Sequence, residues 1–133
     1  MANYYGTART SYFLPKSRQE LERELAPLPV TVVEHGTEPG LVAILCDDEG
    51  GWPSYLIDED TDEDVEIDIV DLIGRHLADD HVAVVMEVGA EKLRYLTGYA
   101  VAVNNRLERR QIHLDDIYDL ARQLGPKVGH ASY

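Results

Sequence analysis

The sequence predicts an α+β domain with a mainly antiparallel sheet and about three helices. Three observations carry this. Apolar residues alternate with polar ones in several short runs, and clusters of Gly, Pro, Asp and Asn separate the runs, as expected of strands joined by turns. Three other segments place apolar residues at helical spacing. The chain has 133 residues, 44% of them apolar, which suits one core and one domain.

Residues 1–29 read as a βα opening unit. Thr7 to Leu14 is rich in aromatic and hydroxyl side chains and is predicted as a strand ended by Pro15. Ser17 with Glu20 forms a capping box, and Leu21 and Leu25 follow at helical spacing until Pro27 and Pro29. Residues 30–80 read as a βββα unit. Val30-Thr31-Val32-Val33 and Leu41 to Cys46 form a hairpin about the turn Gly36 to Gly40. A polar turn, Asp47 to Pro53, leads to a short strand over Ser54 to Ile57. From Asp62 to Ile69 charge and apolarity alternate, which predicts a strand with one wet face, giving way near Asp68 to a helix through Ile69, Val70, Ile73 and Leu77.

Residues 81–126 repeat this order and read as a second βββα unit. Val82 to Val85, Tyr95 to Val103 and Gln111 to Leu114 supply its strands, and a helix runs from about Asp116 to Leu124 before Gly125 and Pro126. Asp68-Ile69-Val70-Asp71-Leu72 matches Asp116-Ile117-Tyr118-Asp119-Leu120 at all but one position, 48 residues later. Asp also suits helix N-termini for capping and for the macrodipole, so the match is expected of any two similar helices. Residues 127–133 form a tail.

The charge is concentrated. Between Arg23 and Arg75 there is no Lys or Arg, and fifteen acids fall there, whereas the rest of the chain is close to balanced; the total is −13. Such a field repels nucleic acid and anionic membrane and attracts cationic partners. The start, Met1 to Gly6, lacks an apolar export segment, and no run approaches the ~20 apolar residues of a spanning helix, so a cytoplasmic protein is predicted. Cys46 is the sole cysteine, which excludes an internal disulfide and reads as a structural thiol.

Enzyme motifs are missing. Asp58 to Asp64 resembles a calcium loop in density only, since Glu63 stands where the turn needs glycine and Ile69 where a bidentate glutamate belongs, so no metal is assigned. His35, His76, His81, His113 and His130 form no HExxH pair and flank no nucleophile motif, and Gly50-Gly51 lacks the Lys and Ser/Thr of a phosphate loop. No catalytic residue and no cofactor is predicted. Tyr4, Tyr5, Tyr12, Tyr55, Tyr95, Tyr99, Tyr118 and Tyr133 outnumber one Phe and one Trp, and they suit either sheet rims or a partner interface.

The acidic segment gives the functional expectation. Nine acids among the fourteen residues 58–71 repel one another unless something neutralises them. On an extended strand alternate residues stand about 6.6 to 6.8 Å apart, and a duplex rises ~3.4 Å per nucleotide. Asp60, Asp62, Asp64, Glu66 and Asp68 are thereby predicted to match every second phosphate. Asp58, Glu59, Glu63, Asp71 and the turn residues Asp47, Asp48 and Glu49 would widen the patch, with Trp52 and Tyr55 as aromatic anchors.

The segments Asn3 to Phe13 and Tyr95 to Asn104 resemble small acidic proteins of phages, plasmids and other bacterial mobile elements. That resemblance implies an inhibitor of host defence, of the anti-restriction or anti-CRISPR kind. The expectation is a non-enzymatic, DNA-mimic-like protein that blocks a basic, nucleic-acid-binding partner, without itself binding nucleic acid or membrane. The alternatives are an antitoxin or immunity protein for one cognate toxin, an unfamiliar enzyme with carboxylates gathered around His81 or His113, and a scaffold. The uncharged strand Tyr99 to Val103 offers a surface to a second copy.

Overall fold

A computed structural model describes residues 4–92 and 94–131. Six strands form one antiparallel sheet: β1 (Tyr4–Thr10), β2 (Val30–Glu34), β3 (Val42–Cys46), β6 (Ala83–Glu91), β7 (Tyr95–Val103) and β8 (Arg109–His113), in the spatial order β2-β3-β1-β6-β7-β8. Strands β4 (Tyr55–Asp58) and β5 (Glu63–Glu66) pair with each other alone. The helices are α1 (Arg18–Leu25), α2 (Ile69–Arg75) and α3 (Ile117–Ala121), the last preceded by a 3₁₀ turn, Leu114–Asp116. Among the described residues no helix is long and apolar enough to cross a membrane. The α+β class with a mainly antiparallel sheet and three helices is as the sequence predicts.

Alternation divides the sheet into two faces. On the inward face Thr10, Val42, Ile44, Val85, Val101 and Val103 are buried, and α1 and α2 cover them through Leu21, Leu25, Ile69, Leu72 and Ile73. Ser17 caps α1, its hydroxyl accepting the Glu20 N–H at 3.3 Å, and Asp68 caps α2 by accepting from the N–H groups of Val70 and Asp71. Thr10 is polar and fully buried, yet satisfied: its hydroxyl donates to the Ser11 carbonyl and accepts from the Ile44 N–H at 2.9 Å. Glu24 joins the helices by meeting both Arg75 and His76.

On the outward face every strand position is uncharged except Arg9 and Arg110. No helix lies across most of it. Only the 3₁₀ turn and α3 fold back beside β7 and β8.

Several boundaries shift from expectation. The first strand begins at Tyr4 because β6 is longer than Val82 to Val85 and pairs with it as far as Tyr4 opposite Glu91. The third and fourth strands of the 30–80 unit leave the main sheet as a hairpin, whereas all three strands of the 81–126 unit stay in it. Strand β5 has two wet faces rather than one, and even Val65 is half exposed. The last helix stops at Ala121 instead of Leu124, since a short helix needs a packed apolar face and α3 has no buried residue. Strand β7 is flanked by β6 and β8, so Tyr99 to Val103 can present a face to a second copy but no edge. The start (Met1, Ala2 and Asn3) and the tail end with Tyr133 lie outside the described residues.

Candidate functional site

The acidic run folds as the β4–β5 hairpin. Its pairs are Tyr55 with Glu66, Leu56 with Val65, Ile57 with Asp64 and Asp58 with Glu63. Leu56 packs against the core, and a shallow cleft beneath the hairpin includes Val65, Leu28 and Leu72. The opposite face therefore points away from the body and presents Tyr55, Ile57, Asp64 and Glu66, with Tyr55 and Ile57 each 62% exposed. At the tip, the Asp58 carboxylate accepts the Asp60 N–H at 2.9 Å, and Asp62 takes a left-handed conformation with φ 58° that Asp tolerates better than most residues. Among the described residues Asp58, Glu59, Asp60, Asp62, Glu63, Asp64 and Glu66 form no ion pair.

This geometry corrects the phosphate-spaced row. Four-residue strands hold two residues per face, so only Asp64 and Glu66 keep the alternate spacing, while Asp60 and Asp62 turn with the tip. Asp68 leaves the row altogether. Its carboxylate caps α2 and, with Asp71, grips the Arg109 guanidinium at 2.7 Å each. Partial burial works against the Asp68 charge, but Arg109 and the α2 amides outweigh it and hold its pKa below the ordinary carboxylate value. Hydrogen bonding to Asp71 and Asp68 raises the Arg109 pKa in turn.

The turn acids are also separate from the hairpin. Asp47 accepts the Thr31 hydroxyl at 2.8 Å, Asp48 accepts the Gly50 N–H at 2.8 Å, and the Glu49 carbonyl accepts the Gly6 N–H at 2.7 Å. Glu49 thereby stands beside Tyr5 and Leu96 on the outward side. Trp52 is not a free anchor. Its ring packs against the core and its indole N–H donates to the Met86 carbonyl at 3.1 Å. Cys46 is half buried, and burial pushes its thiol pKa up.

Sequence reasoning missed a second polar constellation. The Glu87 carboxylate, on the inward face of β6, accepts the Tyr4 hydroxyl at 2.8 Å and the Trp52 N–H at 2.9 Å, and lies beside Tyr99. Burial and the adjacent Glu87 charge raise both tyrosine pKa values, that of Tyr99 to about 12, so both stay protonated. Two close approaches require glycine here: a Cβ on Gly89 would lie 2.6 Å from the Tyr4 ring, and one on Gly51 would fall inside the Glu87 carboxylate. The signal in the sequence was one acid inside Val84-Val85-Met86-Glu87-Val88, with Gly89 two residues on. The cluster fastens β1, the turn at Gly51 and β6 together.

The other tyrosines divide between contact and exposure. Tyr12 meets the His35 ring edge-on and lies under the Arg9 guanidinium, while Tyr118 stacks on His130 at 4.1 Å. Tyr5 and Tyr55 are exposed. His113 lies beside Tyr99, and its backbone N–H is capped by Asp116; the His81 N–H donates to the Ala78 carbonyl. Among the described residues no three His, Cys, Asp or Glu side chains are grouped to hold a metal ion. Comparison with known proteins returns no match, whether to family models, to curated proteins or to solved structures.

Proposed function

We propose that this chain is a non-enzymatic binding protein whose β4–β5 hairpin occupies a basic, nucleic-acid-binding surface on another protein and blocks it. One observation carries the proposal: among the described residues seven carboxylates of the hairpin, from Asp58 to Glu66, have no ion pair, although Asp68 and Asp71 after them are matched to Arg109. Their mutual repulsion is relieved when a cationic surface closes over them. Charge density, rather than a phosphate register, does the recruiting. Tyr55 and Ile57 supply apolar contact between Asp64 and Glu66, so charge governs the association rate and these two side chains the lifetime. Their exposure also supports a second reading, a neutraliser of one cognate toxin, because an apolar anchor selects a particular pocket whereas charge alone does not.

The test is capture from bacterial lysate by the wild type and by a variant with Asp58, Asp60, Asp62, Asp64 and Glu66 changed to Asn or Gln. A basic nucleic-acid-handling protein retained by the wild type alone, released by moderate salt and displaced by DNA, is the expected result. Equal recovery on both proteins sinks the proposal. A partner lost on Tyr55→Ala but indifferent to DNA selects the second reading.

A further inference from the structure

We propose that the outward face of the sheet is a self-association surface and that a second copy of this chain covers it. Val88, Ile112, Leu114, Ile117 and Leu120 are between 49% and 65% exposed along one groove of about 420 Å³ between β6–β8 and α3. A contiguous apolar patch of this kind marks an interaction surface rather than a scatter of surface residues.

Charge identifies the occupant. The chain carries −13, so a second copy meets carboxylates on the helical side and at the hairpin, and on the outward side it meets Glu49 and the acids around the start of α3. The outward strand positions hold none, only Arg9 and Arg110. Among the described residues neither guanidinium forms an ion pair: Arg9 donates to the Thr10 carbonyl and Arg110, with Glu108 in its field, to the Arg109 carbonyl. Asp116 lines the groove, with Asp115 beside it in the 3₁₀ turn and Asp119 in the first turn of α3; Leu120 projects from α3, and Leu124, 94% exposed, follows just beyond its end. Each molecule therefore presents α3 with Asp115, Asp116 and Asp119 beside it and an apolar strand surface with Arg9 and Arg110 beside it. A two-fold axis through the groove carries each α3 over the strands of the other copy and matches both pairs at once, which is the self-complementarity an isologous contact demands.

The size is adequate. Strands β1, β6, β7 and β8, of 7, 9, 9 and 5 residues, at about 3.4 Å per residue and about 4.8 Å apart give a flat footprint on the order of 500 Å², and α3 adds to it, against roughly 800 Å² per partner for a standard interface. The pairing is independent of the proposed hairpin contact, which uses the opposite side, so either can fail alone.

Sedimentation equilibrium of the full chain from micromolar to sub-millimolar concentration tests it. The expected mass is twice 14.9 kDa. Ile112→Lys and Leu120→Lys should each weaken the pairing by about a hundredfold, and the double variant Arg9→Glu/Arg110→Glu by about tenfold, with circular dichroism unchanged. Ile57→Lys, on the hairpin, should leave it intact. Should a lysine variant unfold, Ile112→Ser and Leu120→Ser are read in the same way. A wild type that stays monomeric throughout overturns the proposal, and so does a dimer indifferent to these substitutions or a monomer that takes up a different protein on this face.

Discussion

Helices α2 and α3 open on nearly the same five residues and come to rest in opposite surroundings. In α2, Ile69, Val70, Leu72, Ile73 and Gly74 are all buried; in α3 no residue is. The difference begins after the shared stretch. Where α2 continues Ile73-Gly74, α3 continues Ala121-Arg122, so the buried isoleucine becomes a methyl group and the close-packed glycine becomes a long cation. The caps diverge as well. Asp68 accepts two α2 amides and an arginine, whereas the Asp116 carboxylate turns back to the His113 N–H and leaves the α3 amides uncapped by a side chain. An amphipathic pattern states that a face can be buried; the neighbours decide whether the same molecule does so.

The sharpest way to break this contrast is to cut both helices at matched depth. Ile73→Ala should cost about 2–5 kcal/mol in urea unfolding, because the residue is fully buried at the centre of the core. Asp68→Ala should cost about 1–2 kcal/mol at neutral pH by removing the α2 cap. Its pH dependence sharpens the point. The folded pKa of Asp68 is depressed, so its contribution is present above the unfolded carboxylate value of about 3.9 and is lost as pH falls through the folded one. The gap between wild type and Asp68→Ala should therefore close in acid, as measured by unfolding midpoints at successive pH values.

Gly74→Ala comes next. On an exposed helix this change adds stability, but here a Cβ would lie 2.7 Å from the Leu107 side chain and 3.1 Å from the Asn104 carbonyl, so a loss of about 1 kcal/mol is expected. The smallest effect belongs to α3. Leu120→Ala should change the unfolding free energy of dilute protein by less than about 1 kcal/mol, since the side chain is already wet. A loss as large as that of Ile73→Ala in dilute solution would mean that α3 is covered within one molecule.

Local signals were read well from the sequence. Ser17 as a cap, the β2–β3 hairpin and the bounds Tyr95 to Val103 of β7 follow from spacing and turn chemistry over a few residues. What escaped was long range. The Glu87 cluster draws Tyr4, Trp52 and Tyr99 from three separate elements, and no local pattern brings them together. The phosphate-spaced row failed for a related reason: alternation set the parity of Asp60 to Asp68, while the tip at Asp58 to Asp62 and the pull of Arg109 on Asp68 set how much of it was strand. The acidic segment itself was legible because charge needs no partner to be counted, whereas its pairing as a hairpin of its own was not.

Trp52 gives the molecule an optical reporter of its own. It is the sole tryptophan, its indole is held half-buried against Met86, and three residues later the chain enters the acidic hairpin. Emission from this one ring reports whether the root of the hairpin is seated. Red-shifted fluorescence at low denaturant, ahead of the loss of helical ellipticity, would show the hairpin lifting away before the sheet melts, with no dye or label attached to the surface that a partner must reach.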